Sequence, residues 1–413
     1  MRLRPLGYTP FMLLAQTCAL LGFACYAVVL MPLQVEWRLS NLQSGLIASA
    51  FFFGYMVFVP LATALTDRID ARKVYLVGSL LASSALLGMG FLSTGFKSGL
   101  CFMALNGAGL AGTYMPGLKI LSDRIKAGEL TRHIAFYTAF FGIGTGLSYL
   151  CSGWVLHSWG WRWVFSLIAL GPFGAFSIVY FFIPALEQDR WKDPMNIHVR
   201  DVFPLHQWRL VLKDQNAAGF IFGYTAHCIE LFASRSWIVA FFGFCAAASG
   251  SAFMLTATAL AGVVNFFGVP ASILGNEMAL RIGRQQWICI VMLTSAVLGI
   301  ALASSTGQAW WLIVVLAIAH TVFIMADSAT LTAGLVISAQ ENIKGAAMGL
   351  HSLMGFGGGM LGPAIFGFVL DLSGSEHSQR SWVLAYAAVV VWGVFFVLYE
   401  RHHGWSKKAR STS

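Results

Sequence analysis

Apolar residues dominate twelve stretches of the chain, each about 20 residues long, and short polar segments separate them. A helix needs about 20 apolar residues to cross a bilayer, so the pattern predicts twelve membrane-spanning helices. We place them near residues 10–32, 43–66, 74–94, 99–121, 133–155, 162–184, 216–246, 251–275, 286–305, 309–335, 346–371 and 382–399. The first stretch is long enough to span and is therefore interpreted as a helix, not as a cleaved signal.

The composition also indicates an integral membrane protein. Hydrophobic residues make up 58% of the chain and charged residues only 10%, whereas a soluble domain is about one quarter charged. A chain this poor in charge cannot cover its own surface with polar groups, so we expect membrane lipid to cover part of it. This argues against a soluble enzyme.

The basic residues predict an orientation. With the N-terminus in the cytoplasm, nearly all Lys and Arg residues fall in cytoplasmic segments, as the positive-inside rule requires. The exceptions are Arg38, Lys97, Arg162 and Arg380 in opposite loops and Lys119 and Arg235 inside spans. Both termini are then cytoplasmic, in a bacterial-type inner membrane. Because the net charge of +9 is explained by topology, nucleic acid is not expected as a partner.

Residues with catalytic or metal-binding chemistry do not form recognisable motifs. The seven cysteines lie in apolar runs without metal-ligand spacing, so we interpret them as packing residues and expect no metal or cofactor. The chain contains no HExxH, GxSxG or P-loop motif. We therefore expect a protein that is not an enzyme and is not driven by ATP hydrolysis.

The longest polar stretch divides the chain into two similar parts. We predict an N-terminal six-helix bundle over 1–185, a cytoplasmic linker over 186–215, a C-terminal six-helix bundle over 216–400 and a cytoplasmic tail over 401–413. A shift of 213 residues brings similar features of the two halves together: Arg68-Ile69 falls on Arg281-Ile282, and Tyr114 falls on Asp327. In transporters built from parallel repeats, the substrate site lies between the halves near the middle of the membrane.

Loop motifs carry a resemblance to the major facilitator superfamily. Asp67-Arg68 to Arg72-Lys73 resembles the signature Gly-x-x-x-Asp-Arg-x-Gly-Arg-Arg after the second helix, with Thr63 and Asp70 in place of glycines. A second copy ends in Arg281-Ile282-Gly283-Arg284. The resemblance implies an all-α membrane protein of twelve helices in two pseudo-symmetric bundles, working as a secondary transporter by alternating access.

The same resemblance implies that the signature loops govern gating. The residues concerned are Asp67, Arg68, Arg72, Arg281, Gly283 and Arg284. An acid at a helix end beside two arginines can form a charge network that breaks when the halves move. The alternative is a basic loop that only sets the topology.

Ionisable groups inside a membrane are costly and are functional candidates by default. In the seventh span, Tyr224, His227, Glu230 and Arg235 share one helical face. Glu230 could take up a proton, and Arg235 could bind an oxyanion in a forked geometry. The alternative is a structural pair between Glu230 and Arg235 or His227.

Further candidates lie in other spans. His320 and Asp327 of the tenth span are seven residues apart and share a face, unless Asp327 is simply capped by Ser328 and backbone. Lys119 could contact a substrate anion, pair with Asp327 or extend to the membrane surface. Tyr114, the counterpart of Asp327 in the first half, is a further candidate for substrate binding or coupling. Weaker candidates are Asn106, Asn265 and His351, which are more often packing residues, and the clustered glycines from 355 to 359 are expected to form a close helix contact, with substrate contact as the alternative.

These features favour a secondary transporter for a small polar, anionic solute, coupled to protons or working by exchange. We expect it to be a monomer. One alternative is a proton-driven exporter of drugs or toxic compounds, in which Glu230 and Asp327 would bind a cation. Another is a receptor or assembly component that does not transport.

Overall fold

The computed structural model describes residues 7–125, 127–186, 202–249, 254–340, 343–374 and 378–403, and within these ranges the regular structure is helical. The α-helices are α1 (Tyr8–Ala19), α2 (Cys25–Trp37), α3 (Asn41–Thr66), α4 (Ala71–Phe91), α5 (Phe96–Arg124), α6 (Ala127–Trp159), α7 (Trp161–Ile168), α8 (Leu170–Phe182), α9 (Leu205–Lys213), α10 (Gln215–Ser249), α11 (Ala257–Ile282), α12 (Arg284–Ser304), α13 (Trp310–Met325), α14 (Ser328–Ser338), α15 (Lys344–Leu372) and α16 (Gln379–His403).

In the described ranges, twelve helical segments have the length of a membrane span, because α1 with α2, α7 with α8, and α13 with α14 each form one segment. Eleven of the segments in the described ranges are also apolar enough to cross a membrane. The exception is α5, which has 29 residues but carries Lys97, Lys119, Asp123 and Arg124 and five glycines. The described chain therefore has the predicted twelve-helix, all-α organisation.

The helices group into two compact units. The first holds residues 1–37 and 50–203, and the second holds residues 38–49 and 204–413. Residues 38–49, which the sequence assigns to the first bundle, thus group with the second unit. The expected linker contains α9 in its described part, and its residues 187–201 lie outside the described residues, as does the tail from 404 onward.

Polar caps and glycines set several helix boundaries. Asp70 begins α4, its Oδ1 accepting the Arg72 N–H at 3.0 Å, and Thr256 begins α11 by accepting the Ala259 N–H at 3.2 Å. Gly283 separates α11 from α12 with φ of 99°, a conformation that favours glycine. The span predicted at 251–275 begins and ends too early: α11 runs from Ala257 to Ile282, because the exposed polar residues near its end do not terminate it.

Among the described helices, three spanning segments are interrupted, and a neighbouring side chain bonds to a backbone carbonyl at each interruption. Between α1 and α2, the carbonyl of Gly22 accepts from Asn106 at 3.2 Å. Between α7 and α8, the carbonyl of Ala169 accepts from Ser83 at 2.9 Å. Between α13 and α14, a tryptophan from α12 bonds to the carbonyl of Ala326. Such bonds allow irregular backbone at membrane depth.

Glycines let helices of each unit approach closely. In the first unit, a Cβ on Gly112 of α5 would lie 2.8 Å from the Cα of Gly78 on α4. In the second unit, a Cβ on Gly358 of α15 would lie 2.5 Å from the carbonyl oxygen of Thr225 on α10, and one on Gly355 would meet the ring of Tyr224. The glycine cluster of α15 therefore forms a close helix contact, as expected from the sequence.

Candidate functional site

The polar face predicted in the seventh span lies inside the second unit, on α10. Its members His227, Glu230 and Arg235 are buried, with exposed fractions of 4%, 4% and 6%. Buried charge is stable only when partners compensate it. Each of the three has partners from other helices of the same unit, and these partners define the candidate site.

Glu230 is held by two helices that pack on α10. Its Oε1 lies 3.0 Å from His320 Nε2 on α13, and its Oε2 lies 3.2 Å from the Ser295 hydroxyl on α12. All three residues are buried. The carboxylate is therefore paired with an imidazole across helices, and not with Arg235 or His227 as the structural alternative assumed.

A second carboxylate–imidazole pair lies at the interruption between α13 and α14. His227 Nδ1 of α10 lies 2.8 Å from Asp327 Oδ1, and both side chains are 2% exposed. This is an ion-pairing distance without the alignment of a hydrogen bond. Asp327 precedes α14 but makes no capping bond with its side chain, so the capped alternative does not describe it. His227 Nε2 is buried without a hydrogen-bond partner in the described part of the chain.

Arg235, on the C-terminal side of His227 along α10, also contacts the chain beside the interruption between α13 and α14. Its Nε donates to Asn265 Oδ1 of α11 at 2.9 Å, and its Nη2 lies 3.8 Å from the sulfur of Met325, the last residue of α13. Asn265 in turn donates to the Ala261 carbonyl at 2.9 Å. The Asn265 amide thus orients the guanidinium, which also reaches Met325, two residues before Asp327 in the chain.

Tyr224 and His351 extend the site by ring stacking. Their ring centroids are 3.9 Å apart with planes inclined by 14°, and the ring of His227 lies 5.7 Å from that of Tyr224. His351 Nε2 lies 3.3 Å from the Thr332 hydroxyl, while its Nδ1 is buried without a partner among the described residues. His351, a weak candidate in the sequence, therefore belongs to the same cluster.

The three candidates in the first unit have local contacts. Lys119 pairs with Asp123 one turn later on α5. Tyr114 packs against the rings of Tyr137 and Phe141 at 5.9 and 5.5 Å. Asn106 makes the bond to Gly22 described above, which is a packing interaction within this unit.

The charge network beside α4 is built on Asp70. The carboxylate is 3% exposed, accepts the Leu186 N–H at 2.8 Å and lies 3.3 Å from Arg124 Nη2. Asp67, which the signature favours, is exposed and takes part in none of the ion pairs found in the described ranges. Arg72 donates to the Tyr180 carbonyl at 2.8 Å. The gating roles of Asp67, Arg68 and Arg72 stay predictions.

The second signature loop lies beside a cavity of about 600 Å³ in the second unit. Its lining includes Gly283, Arg284, Glu400 and Arg401, and it includes none of the residues of the two carboxylate–imidazole pairs. Arg281 is exposed at the end of α11. This cavity is therefore separate from the buried polar cluster.

Sequence reasoning missed three members of the site: Ser295, Met325 and Trp287. A serine, a methionine or a tryptophan in an apolar run is common in membrane helices and carries no signal of its own. Their contacts to Glu230, Arg235 and Ala326 became visible only from the packing of α12 and α13 against α10 and α11.

Comparison with known proteins gives the family. The model of the Major Facilitator Superfamily matches residues 12–363. Similar proteins include "Protein spinster homolog 3" of Danio rerio, 29% identical over 157 residues, which are 37% of this chain and 32% of that protein. The niacin transporter NiaP of Acinetobacter baylyi is 26% identical over 37% of this chain and 35% of its own. The multidrug transporter protein MdtP of Bacillus subtilis is 25% identical over 38% and 29%.

The matched segment is thus about a third of each relative's length, whereas solved structures match over nearly the whole chain. A bacterial homolog of the human lysosomal transporter Spinster, inward-facing and unoccupied, has a TM-score of 0.73 at 17% identity, covering 95% of this chain and 97% of its own. A D-xylose-proton symporter has a TM-score of 0.74 at 14% identity, covering 95% and 97%. At these identities the structural likeness shows the fold.

Proposed function

Because the chain belongs to the Major Facilitator Superfamily, and is therefore a transporter and not an enzyme, we propose that it moves a small polar, anionic solute together with protons by alternating access. The observation that carries this proposal is the pair of buried carboxylate–imidazole contacts, Glu230–His320 and His227–Asp327. Neither contact is needed to span a membrane, and each places two protonatable groups about 3 Å apart in a low-dielectric interior.

Charge balance supports coupling between a proton and an anion. With Arg235 charged and both carboxylates ionised, one charged imidazole makes the cluster electrically neutral. A second proton gives it one net positive charge, which is costly inside a membrane protein unless an anion accompanies it. Binding of a carboxylate or another oxyanion would therefore favour proton uptake, and proton uptake would favour anion binding, as linkage requires.

The cellular setting completes the proposal. The distribution of Lys and Arg supports an inner-membrane protein with both termini in the cytoplasm. Its partners would be the solute, protons and membrane lipid, and a single chain would suffice because the cluster is built within one unit.

We expect the purified protein in liposomes to accumulate a small anionic solute when the outside is acidic, and a protonophore to abolish the accumulation. Nicotinate is a reasonable first probe because similar proteins are named niacin transporters. Asp327→Asn and Glu230→Gln should each lower proton-driven uptake at least about tenfold, equivalent to about 1.4 kcal/mol. Glu277→Gln, which changes an exposed acid on α11, is the matched control.

The decisive comparison uses each solute with and without the pH gradient. If a panel of small anions is transported equally well under both conditions, and the two variants behave like the control, proton coupling through this cluster is refuted.

A proton-driven exporter of cationic or hydrophobic compounds is the second candidate. It is favoured by the two buried acids Glu230 and Asp327, which could bind a cation, and by the similarity to a multidrug transporter. Cells that lack the protein should then become sensitive to members of a toxin panel, whereas an anion transporter should leave their sensitivity unchanged.

A further inference from the structure

The peptide before Asp327 lies in a gap of the helical hydrogen-bond ladder. The Ala326 N–H donates to the Phe323 carbonyl at 3.2 Å, and bonding resumes where the Leu331 N–H donates to the Asp327 carbonyl at 2.8 Å. The carbonyl of Ala326 falls between these bonds. At membrane depth a carbonyl in such a gap needs another donor.

Trp287 of α12 supplies that donor. Its indole Nε1–H donates to the Ala326 carbonyl at 3.0 Å. The tryptophan therefore fixes one end of the peptide that leads directly into Asp327, from a helix that carries no ionisable residue of the cluster.

Gly275 of α11 holds the same peptide from another side. A Cβ at this position would lie 2.0 Å from the Ala326 oxygen and 2.7 Å from its carbonyl carbon and Cα. No real Cβ tolerates such distances, so any side chain at Gly275 would displace the Ala326 peptide or the backbone of α11.

We infer that Trp287 and Gly275 are positioning residues for Asp327, in the proton-coupling role that the proposed function gives to it. An aspartate has only two side-chain torsions, so the position of its carboxylate follows the position of its backbone. With Ala326 held on two sides, the Asp327 carboxylate stays 2.8 Å from His227 Nδ1. Release of the Ala326 carbonyl would let the interruption between α13 and α14 shift and separate this pair.

The test is the pH profile of proton-driven uptake by the full-length protein in liposomes. Trp287→Phe keeps an aromatic side chain and removes the indole donor together with one of the two fused rings. We expect it to displace the pH midpoint of uptake by about half a unit or more, about threefold in proton affinity, while the variant stays folded by gel filtration. Trp311→Phe is the matched control, since Trp311 of α13 is 57% exposed.

Gly275→Ala gives a second, independent displacement of the same peptide. It should shift the midpoint too, whereas Gly349→Ala should not, because a Cβ at Gly349 has nothing within 4 Å. If Gly275→Ala does not fold, Trp287→Phe decides the question alone.

The outcomes separate the two proposals. If Trp287→Phe lowers uptake equally at every pH without moving the midpoint, Trp287 is only a packing residue and the inference is overturned. If Asp327→Asn itself leaves the pH dependence of transport intact, the proposed function fails, whatever Trp287→Phe does.

Discussion

At the scale of single residues, the sequence reveals the ionisable members of the site but not the serine that contacts them. His227, Glu230, His320 and Asp327 stand out because ionisable residues are rare in apolar runs, and the structure brings all four into two pairs. Ser295 carries no such signal, because serines in helices commonly bond to their own backbone. Its contact with Glu230 depends on how α12 packs against α10, which no local pattern encodes.

Ser295→Ala should lower the stability of the protein, because it removes a hydrogen bond to Glu230. The variant removes one donor to a buried carboxylate, so we expect a loss of about 1 kcal/mol, seen as a lower apparent melting temperature in detergent. Ser304→Ala on the same helix is the control, because that exposed hydroxyl bonds to the Ile300 carbonyl of its own helix. Equal melting temperatures for the two variants would show that Ser295 does not support Glu230.

Asp67 and Asp70, the two acids before α4, show that a sequence motif does not predict which residue is buried. The signature motif drew attention to Asp67, but Asp70 is the buried residue that caps α4 and pairs with Arg124. The motif concerns sequence positions, whereas burial is decided by which loop residue turns toward the bundle.

Asp70→Asn should therefore destabilise the protein far more than Asp67→Asn. Loss of the charge next to a buried arginine is expected to cost about 1–3 kcal/mol, while a change at exposed Asp67 should have little effect on thermal unfolding. A larger loss of stability in Asp67→Asn would instead support a charge network based on Asp67.

At the scale of helices, a proline marks only one of the three interruptions in the described residues: Pro172 follows the break between α7 and α8 and has no N–H to bond to the Ile168 carbonyl. Five other prolines lie inside continuous helices: Pro32, Pro60, Pro116, Pro270 and Pro363. The segment between α1 and α2 and the one between α13 and α14 contain no proline and are bonded by side chains of other helices. Twelve spans could be predicted because hydrophobicity is local, but interruptions depend on tertiary donors.

The contact between α4 and α5 makes a prediction at the same scale. Gly112→Ala would force its new Cβ to 2.8 Å from the Gly78 backbone, so we expect a loss of about 1–3 kcal/mol from overpacking. Gly349→Ala, in open space on α15, should be neutral or slightly stabilising because alanine favours a helix. Thermal unfolding compares the two variants. Equal melting temperatures would show that α4 and α5 move apart to accommodate the methyl group without loss of stability.

At the scale of the whole molecule, the membrane class, the twelve-helix fold and the superfamily were predictable and are confirmed by the family match over residues 12–363. They follow from hydrophobic length and loop motifs, which many sequences share. Solved structures of 14% and 17% identity have the same fold, one of them a D-xylose-proton symporter, while relatives of 25% and 26% identity are named for multidrug and niacin transport. The solute depends on a few side chains brought together by packing, so the sequence leaves it open.

The modest hydrophobicity of α5 has a consequence for biosynthesis. Glycine has no apolar side chain to transfer into lipid, so the five glycines of α5 lower the free energy that this segment gains on leaving the translocon. Its tight glycine contact is with α4, which the ribosome completes first. A nascent α5 can thus enter the bilayer against an already inserted partner, so that the same close packing that holds the finished bundle also helps its least apolar member into the membrane.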